Sequence, residues 1–289
     1  MPLFSHIRLI LISLLLVTIS ACSSIQLGYN QGDTLIRWWI DDYVDLNEAQ
    51  SEFVAAALKR QFSWHRSEQL PQIQASLNKL KRKLGKPLTV PEALDSYQDM
   101  RKHITAAIEH MSRDAATLAL SMNLDQLKVM EKKYAKTNEK FRKQYLSGSP
   151  AQRLEGRTEK VIENTENIVG SVSKDQANQI AKLVEAYPVD MDGVYKERIR
   201  RQKDLIAVLR KIITEKPSID VTETLLLKYI QTFEYGYTQE QKEFEMARLD
   251  SSVKLTVAIT QIMTESQRKN AQDKVGDWID DIKVLIANR

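Results

Sequence analysis

From about residue 33 the apolar positions recur every three or four residues, the spacing of one helix face, and nowhere do they alternate over any length as a half-buried strand requires. Leu70, Ile73, Leu77, Leu80 and Leu84 step by three and four and form a heptad seam. Val275, Trp278, Ile282 and Leu285 form a second seam near the C-terminus. Leu127, Met130, Tyr134 and Phe141 share one side of a third helix, and Ile199, Ile206, Leu209 and Ile213 stripe a fourth. The pattern predicts helices at about 47–84, 90–120, 124–146, 151–169, 174–187, 192–215, 221–261 and 265–287. Asp33 is expected to cap a shorter helix carrying Trp38 and Trp39. Pro71 should kink the first long helix, and Gly236 is a weak point in 221–261. The fold class is all-α: an elongated multi-helix bundle of antiparallel amphipathic helices, read as a single domain over 33–289.

The punctuation agrees. Thr89 and Glu92 form a capping pair ahead of 90–120, and Pro150 stands at a first helical position after "SGSP". Only 9 glycines and 7 prolines occur in 289 residues, too few for a fold rich in tight turns. The net charge of +4 is too small to point to nucleic acid.

The N-terminus has a different character. Arg8 precedes an apolar stretch, Leu9 to Ile19, which has the length of a signal-peptide core and is short for a membrane span. It ends in Ile19-Ser20-Ala21-Cys22, which resembles the bacterial lipobox. That resemblance implies cleavage of a signal peptide at 1–21 and acylation of Cys22, the only cysteine in the chain. Ser23 at the next position implies the outer membrane, with retention at the inner membrane as the alternative. Residues 22–32 are expected to be an extended tether. Once Cys22 is acylated no thiol remains for a disulfide, a nucleophile or a metal.

A short pattern recurs. Leu46-Asn47-Glu48-Ala49-Gln50 is echoed at 122–126, 172–176 and 263–267 as apolar, then Asn/Ser/Thr, two residues, then Gln. Residues 237–241 fit too, although there the pattern is expected to lie inside a helix. Physically this is a capping box, in which the Asn, Ser or Thr accepts from the N3 amide and the Gln accepts from the N-cap amide. The pattern also resembles the LTxxQ signature of periplasmic helical chaperones of the Spy and CpxP type, which implies binding of unfolded envelope proteins. Taken together, the lipobox, "LIRWWIDDYVDLNEAQ", "WHRSEQLP" and "MTESQ" resemble an uncharacterised family of helical proteobacterial lipoproteins. That resemblance implies an all-α periplasmic lipoprotein and carries no activity.

Candidate chemistry is sparse. His65 has one carboxylate, Glu68, a turn away, and His103 and His110 are about 10 Å apart along a helix, too far to share an ion unaided. No zinc-protease, phosphate-loop or nucleophile-elbow motif occurs. No catalytic residue, cofactor, metal or small-molecule substrate is expected, and an envelope hydrolase is the remote alternative. Basic clusters at 79–86, 132–143 and 196–203 read as solvated faces. Trp38 and Trp39 point about 100° apart, so one narrow core stripe cannot take both. Burial is preferred over a membrane role for this pair. "WIDD" at 39–42 and 278–281 is read in both places as Trp and Ile packed inward with aspartates facing water. Trp38, Trp39, Trp64 and His65 are the candidate interaction residues. The expected protein is a non-catalytic envelope module held to the membrane by Cys22, its partner an envelope protein.

Overall fold

A computed structural model describes residues 23–288, apart from the side chains of 233–235; the segment expected to be a signal peptide, 1–21, and Cys22 lie outside the described residues. The helices are α1 (Ser24–Asn30), α2 (Gly32–Val44), α3 (Glu48–Trp64), α4 (Leu70–Lys83), α5 (Val90–Ser121) and α6 (Leu124–Tyr145). They continue with α7 (Pro150–Val169), α8 (Lys174–Ala186), α9 (Met191–Glu215), α10 (Ile219–Tyr235), α11 (Gln239–Ile262) and α12 (Glu265–Ala287). No strand occurs among the described residues.

The first two seams pack against each other. Leu70 and Leu77 of α4 pack with Val275, Ile279, Ile282 and Leu285 of α12, and Ile73, Leu80, Leu84 and Trp278 close the flanks. Leu127 and Met130 of α6 pack with Ile206, Leu209, Ile212 and Ile213 of α9 in a second core that includes Val44 and Met122. Smaller cores join α8 to α11 through Ile180, Val184 and Leu255, and α7 to α12 through Val169 and Ala271.

α3 and α4 are one continuous helix with a π turn at His65–Gln69. Pro71 supplies the reason. Its nitrogen cannot donate and its ring crowds the preceding turn. The strain is taken up just ahead of it, where the Leu70 N–H reaches back five residues to the His65 carbonyl. The expected kink therefore takes the form of one surplus residue.

Four expectations are corrected. Residues 24–30, read as tether, are helix α1: Ser23 caps it by accepting from the Gln26 N–H, and Gln26 donates to Asp281 of α12 at 2.8 Å. Gln31, not Asp33, is the N-cap of α2; Asp33 sits in the first turn and accepts from the Thr34 N–H. The 221–261 helix is two helices, broken at Gly236 with φ of 59°, and Thr238–Gln241 is a true capping box at the start of α11. Asp281, expected in water, is buried by its bond to Gln26.

Candidate functional site: glutamine clasps, an aromatic strip and an apolar groove

The recurrent pentapeptide closes a full capping box at Asn47, Asn123, Ser173 and Thr264. The glutamines then pair across the fold. Gln50 and Gln126 exchange amide hydrogen bonds, Gln126 Nε2 donating to Gln50 Oε1 at 2.7 Å and Gln50 Nε2 to Gln126 Oε1 at 3.3 Å. Gln176 and Gln267 do the same at 2.7 and 3.0 Å. Each amide also donates to a carbonyl two residues before its partner's N-cap: Gln126 to Asp45, Gln50 to Ser121, Gln267 to Ser171 and Gln176 to Ile262. Each Oε1 already accepts from its own N-cap amide. All four hydrogen-bonding positions of a primary amide are thereby filled. A glutamate in this place lacks both donors, leaving the partner's Oε1 and the facing carbonyl without their hydrogen bonds.

The apolar residue of each pentapeptide packs into a core. Leu46 and Met122 join the α6–α9 core, and Val172 and Met263 the α7–α12 core. The motif thus makes two clasps, each binding two interhelical turns. Gln241 and Gln152 close the same box on surface turns.

The tryptophans of α2 go the other way. Trp38 is 60 % exposed and Trp39 61 %, so the expected burial is corrected for both. Trp39 rests its ring against Tyr43, 4.9 Å between centroids. Leu35 and Leu27 are also exposed, giving α1 and α2 a run of unpacked apolar side chains directly after residue 22.

Trp64 and His65 are both engaged. Trp64 stacks on His110 at 3.9 Å between centroids. His65 Nδ1 is hydrogen-bonded to the Tyr29 hydroxyl at 3.0 Å. His65 also lines an apolar groove of about 610 Å³. One wall is a single face of α5, from Met100 through Ile104, Ala107, Ile108 and Met111 to Ala115. The opposite wall is Leu58 and Phe62 of α3, with Leu226, Leu227 and Ile230 of α10; Tyr29, Ile36 and Ile73 close one end. Met100 and Ile104 remain exposed, with Ile104 at 55 %.

No Lys, Arg, Asp or Glu side chain lines the groove. Its polar side chains are turned to other parts of the protein. Gln61 donates to the Ala107 carbonyl and is hydrogen-bonded to His110, His103 is hydrogen-bonded to Ser76, and Ser112 donates to the Glu109 carbonyl and to Glu223. Burial holds the pKa values of His65 and His103 below the ordinary imidazole value, and the proximity of His103 lowers His65 further. Both rings are therefore neutral at pH 7, in keeping with an uncharged wall.

A larger hollow of about 720 Å³ lies between α6 and α9, but Glu131, Lys203, Arg210 and Lys211 line it and the Arg210–Glu131 ion pair bridges it. The basic clusters carry ion pairs to neighbouring acids, including Lys79–Asp99, Lys133–Asp42 and Arg201–Glu245. Among the described residues no three His, Cys, Asp or Glu side chains gather as a metal site, and no helix is long and apolar enough to cross a membrane.

These features define an all-α, multi-helix bundle with an apolar groove. The chain belongs to the family of unknown function DUF6279, which matches residues 42–237. The matched region holds the Gln50–Gln126 clasp and every groove residue except Tyr29 and Ile36. No curated protein and no solved structure matches the chain.

Proposed function

We propose that this protein is a lipid-anchored, envelope-facing binding module without catalytic machinery, and that the groove between α3, α5 and α10 is where it binds. The observation that carries the reading is the groove itself: about 610 Å³ of unfilled space with uncharged, mostly apolar walls, unlike the charged hollow between α6 and α9. Ligand pockets are typically of this size and lining. In this reading Cys22 carries the anchor in the outer membrane, and the exposed Leu35, Trp38 and Trp39 face the lipid headgroups, where tryptophan is enriched. The position of that strip just after Cys22 supports this orientation.

A chaperone-like role of the Spy and CpxP kind is favoured less. The pentapeptides that suggest it are occupied in the clasps, so only the groove is left to hold a client.

The test has two arms. The purified full chain should enhance the fluorescence of a naphthylamine probe, and Ile104→Glu, at an exposed groove position, should reduce that signal at least tenfold with an unchanged melting curve. Equal signal in both proteins would sink the groove as a binding site. Separately, Cys22→Ala should abolish palmitate labelling in cells and release the protein from membranes; persistent labelling would refute the anchor.

A further inference from the structure

Resting on the reading of the groove as the binding site, we infer that its occupant is a single acyl chain of a membrane lipid. The first argument is shape. The α5 wall runs from Met100 to Ala115, fifteen steps of about 1.5 Å, or about 22 Å. Spread over that length, the volume of about 610 Å³ is a long, narrow trough. An acyl chain spans half of a hydrocarbon core about 30 Å thick, so about 15 Å of groove accommodates it end to end.

The second argument is chemical. An extended peptide brings backbone N–H and C=O groups that need partners when removed from water. Gln61, His103 and Ser112, three of the polar side chains on the wall, already hydrogen-bond within the protein. A hydrocarbon chain makes no such demand. It also matches a wall with no Lys, Arg, Asp or Glu.

The third argument is position. The described chain begins at Ser23, next to Cys22, and within seven residues of that cysteine Tyr29 stands on the groove wall. Ile36, on the neighbouring helix that exposes Trp38 and Trp39, lines the same end. The groove therefore opens beside the part of the protein nearest its lipid anchor, where bilayer acyl chains are the most abundant apolar partner.

The experiment uses the purified full chain and a photoreactive, alkyne-tagged C16 fatty acid. Light-dependent labelling should map to peptides covering 58–65 and 100–115. It should fall at least tenfold in Ile104→Glu and in Ala107→Trp, which fills the channel, with melting curves unchanged in at least the first. Labelling should be equal in Cys22→Ala; a clear gain there over the acylated protein would make the occupant the protein's own acyl group and overturn the inference. If the naphthylamine probe binds and is blocked by Ile104→Glu while C16 fatty acid neither labels nor displaces it, the binding site stands and the acyl occupant falls. If neither binds, both fall. Competition by an amphipathic peptide at lower concentration than fatty acid would likewise overturn it.

Discussion

The tetrapeptide Trp-Ile-Asp-Asp occurs at 39–42 in α2 and at 278–281 in α12, and the two copies are used in opposite ways. Trp278 packs into the α4–α12 seam, and Asp281 is buried as the acceptor for Gln26. Trp39 is 61 % exposed, and Asp42 lies on the surface beside Lys133. Helix geometry is the same in both. The difference comes from what the rest of the chain brings alongside: α4 and α1 cover the second copy, while the first carries Trp39 on a face with no covering helix. The same holds for the pentapeptides, which are caps everywhere and clasps only where another glutamine faces them.

The largest expected effect separates the two tryptophans. Trp278→Ala should cost about 3 kcal/mol of stability by opening the seam, and Trp39→Ala no more than about 0.5 kcal/mol. Urea midpoints would read both, and equal losses would break the comparison. Next comes the clasp. Gln126→Ala removes a cap and strands the Asp45 carbonyl and the Gln50 amide, for about 2.5 kcal/mol. Gln241→Ala, on its surface turn, should cost about 1 kcal/mol. The aspartates follow: Asp281→Ala leaves the buried Gln26 amide unpaired, about 2 kcal/mol, whereas Asp42→Ala loses an exposed ion pair worth about 0.5 kcal/mol.

Acid gives a smaller effect, confined to the packed side. Unfolded histidine titrates near pH 6.5. Burial depresses His65 and His103 in the fold, so below pH 6.5 the unfolded chain takes up protons first and stability falls until the folded rings charge too. His65 faces Tyr29, Trp64 and His103, and His103 faces Asp99, Lys102, Gln69 and Ser76. A midpoint measured at pH 5.5 should lie below that at pH 7.5, and His65→Gln with His103→Gln should shrink the gap. The smallest effect on folding belongs to Trp38→Ala with Trp39→Ala, which should leave the melting curve in place while weakening attachment to lipid vesicles severalfold.

Much of the fold was legible in the chain. The two seams at 70–84 and 275–285 are visible separately, but their pairing, one of several open to four apolar stripes, comes from the structure. The capping boxes were visible because a cap is local. What was not legible depends on distant partners. α1 reads as tether because it is only seven residues long and includes Gly28; its Gln26 is held by Asp281, 255 residues away. The clasps join residues 76 and 91 apart, and nothing local distinguishes Gln126 from Gln241. Burial of the α2 tryptophans is the expectation of an amphipathic pattern with Asp41 and Asp42 facing water, which cannot say whether a covering helix exists. The groove is a place where packing stops, and absence of filling leaves no periodic mark. Its one trace was the α5 stripe of Met100, Ile104, Ala107, Ile108 and Met111, an apolar face with no seam assigned to it.

The π turn at His65–Gln69 sets the phase between two lengths of one helix. Upstream, Leu58 and Phe62 are timed to the groove; downstream, Leu70 and Leu77 are timed to α12. Had the same five residues of 65–69 kept the α pitch, everything beyond them would be rotated by about 100°. The leucine seam would then point away from α12 while the groove wall stayed in place. The surplus residue works as a clutch plate: it lets one continuous rod engage two differently timed gears.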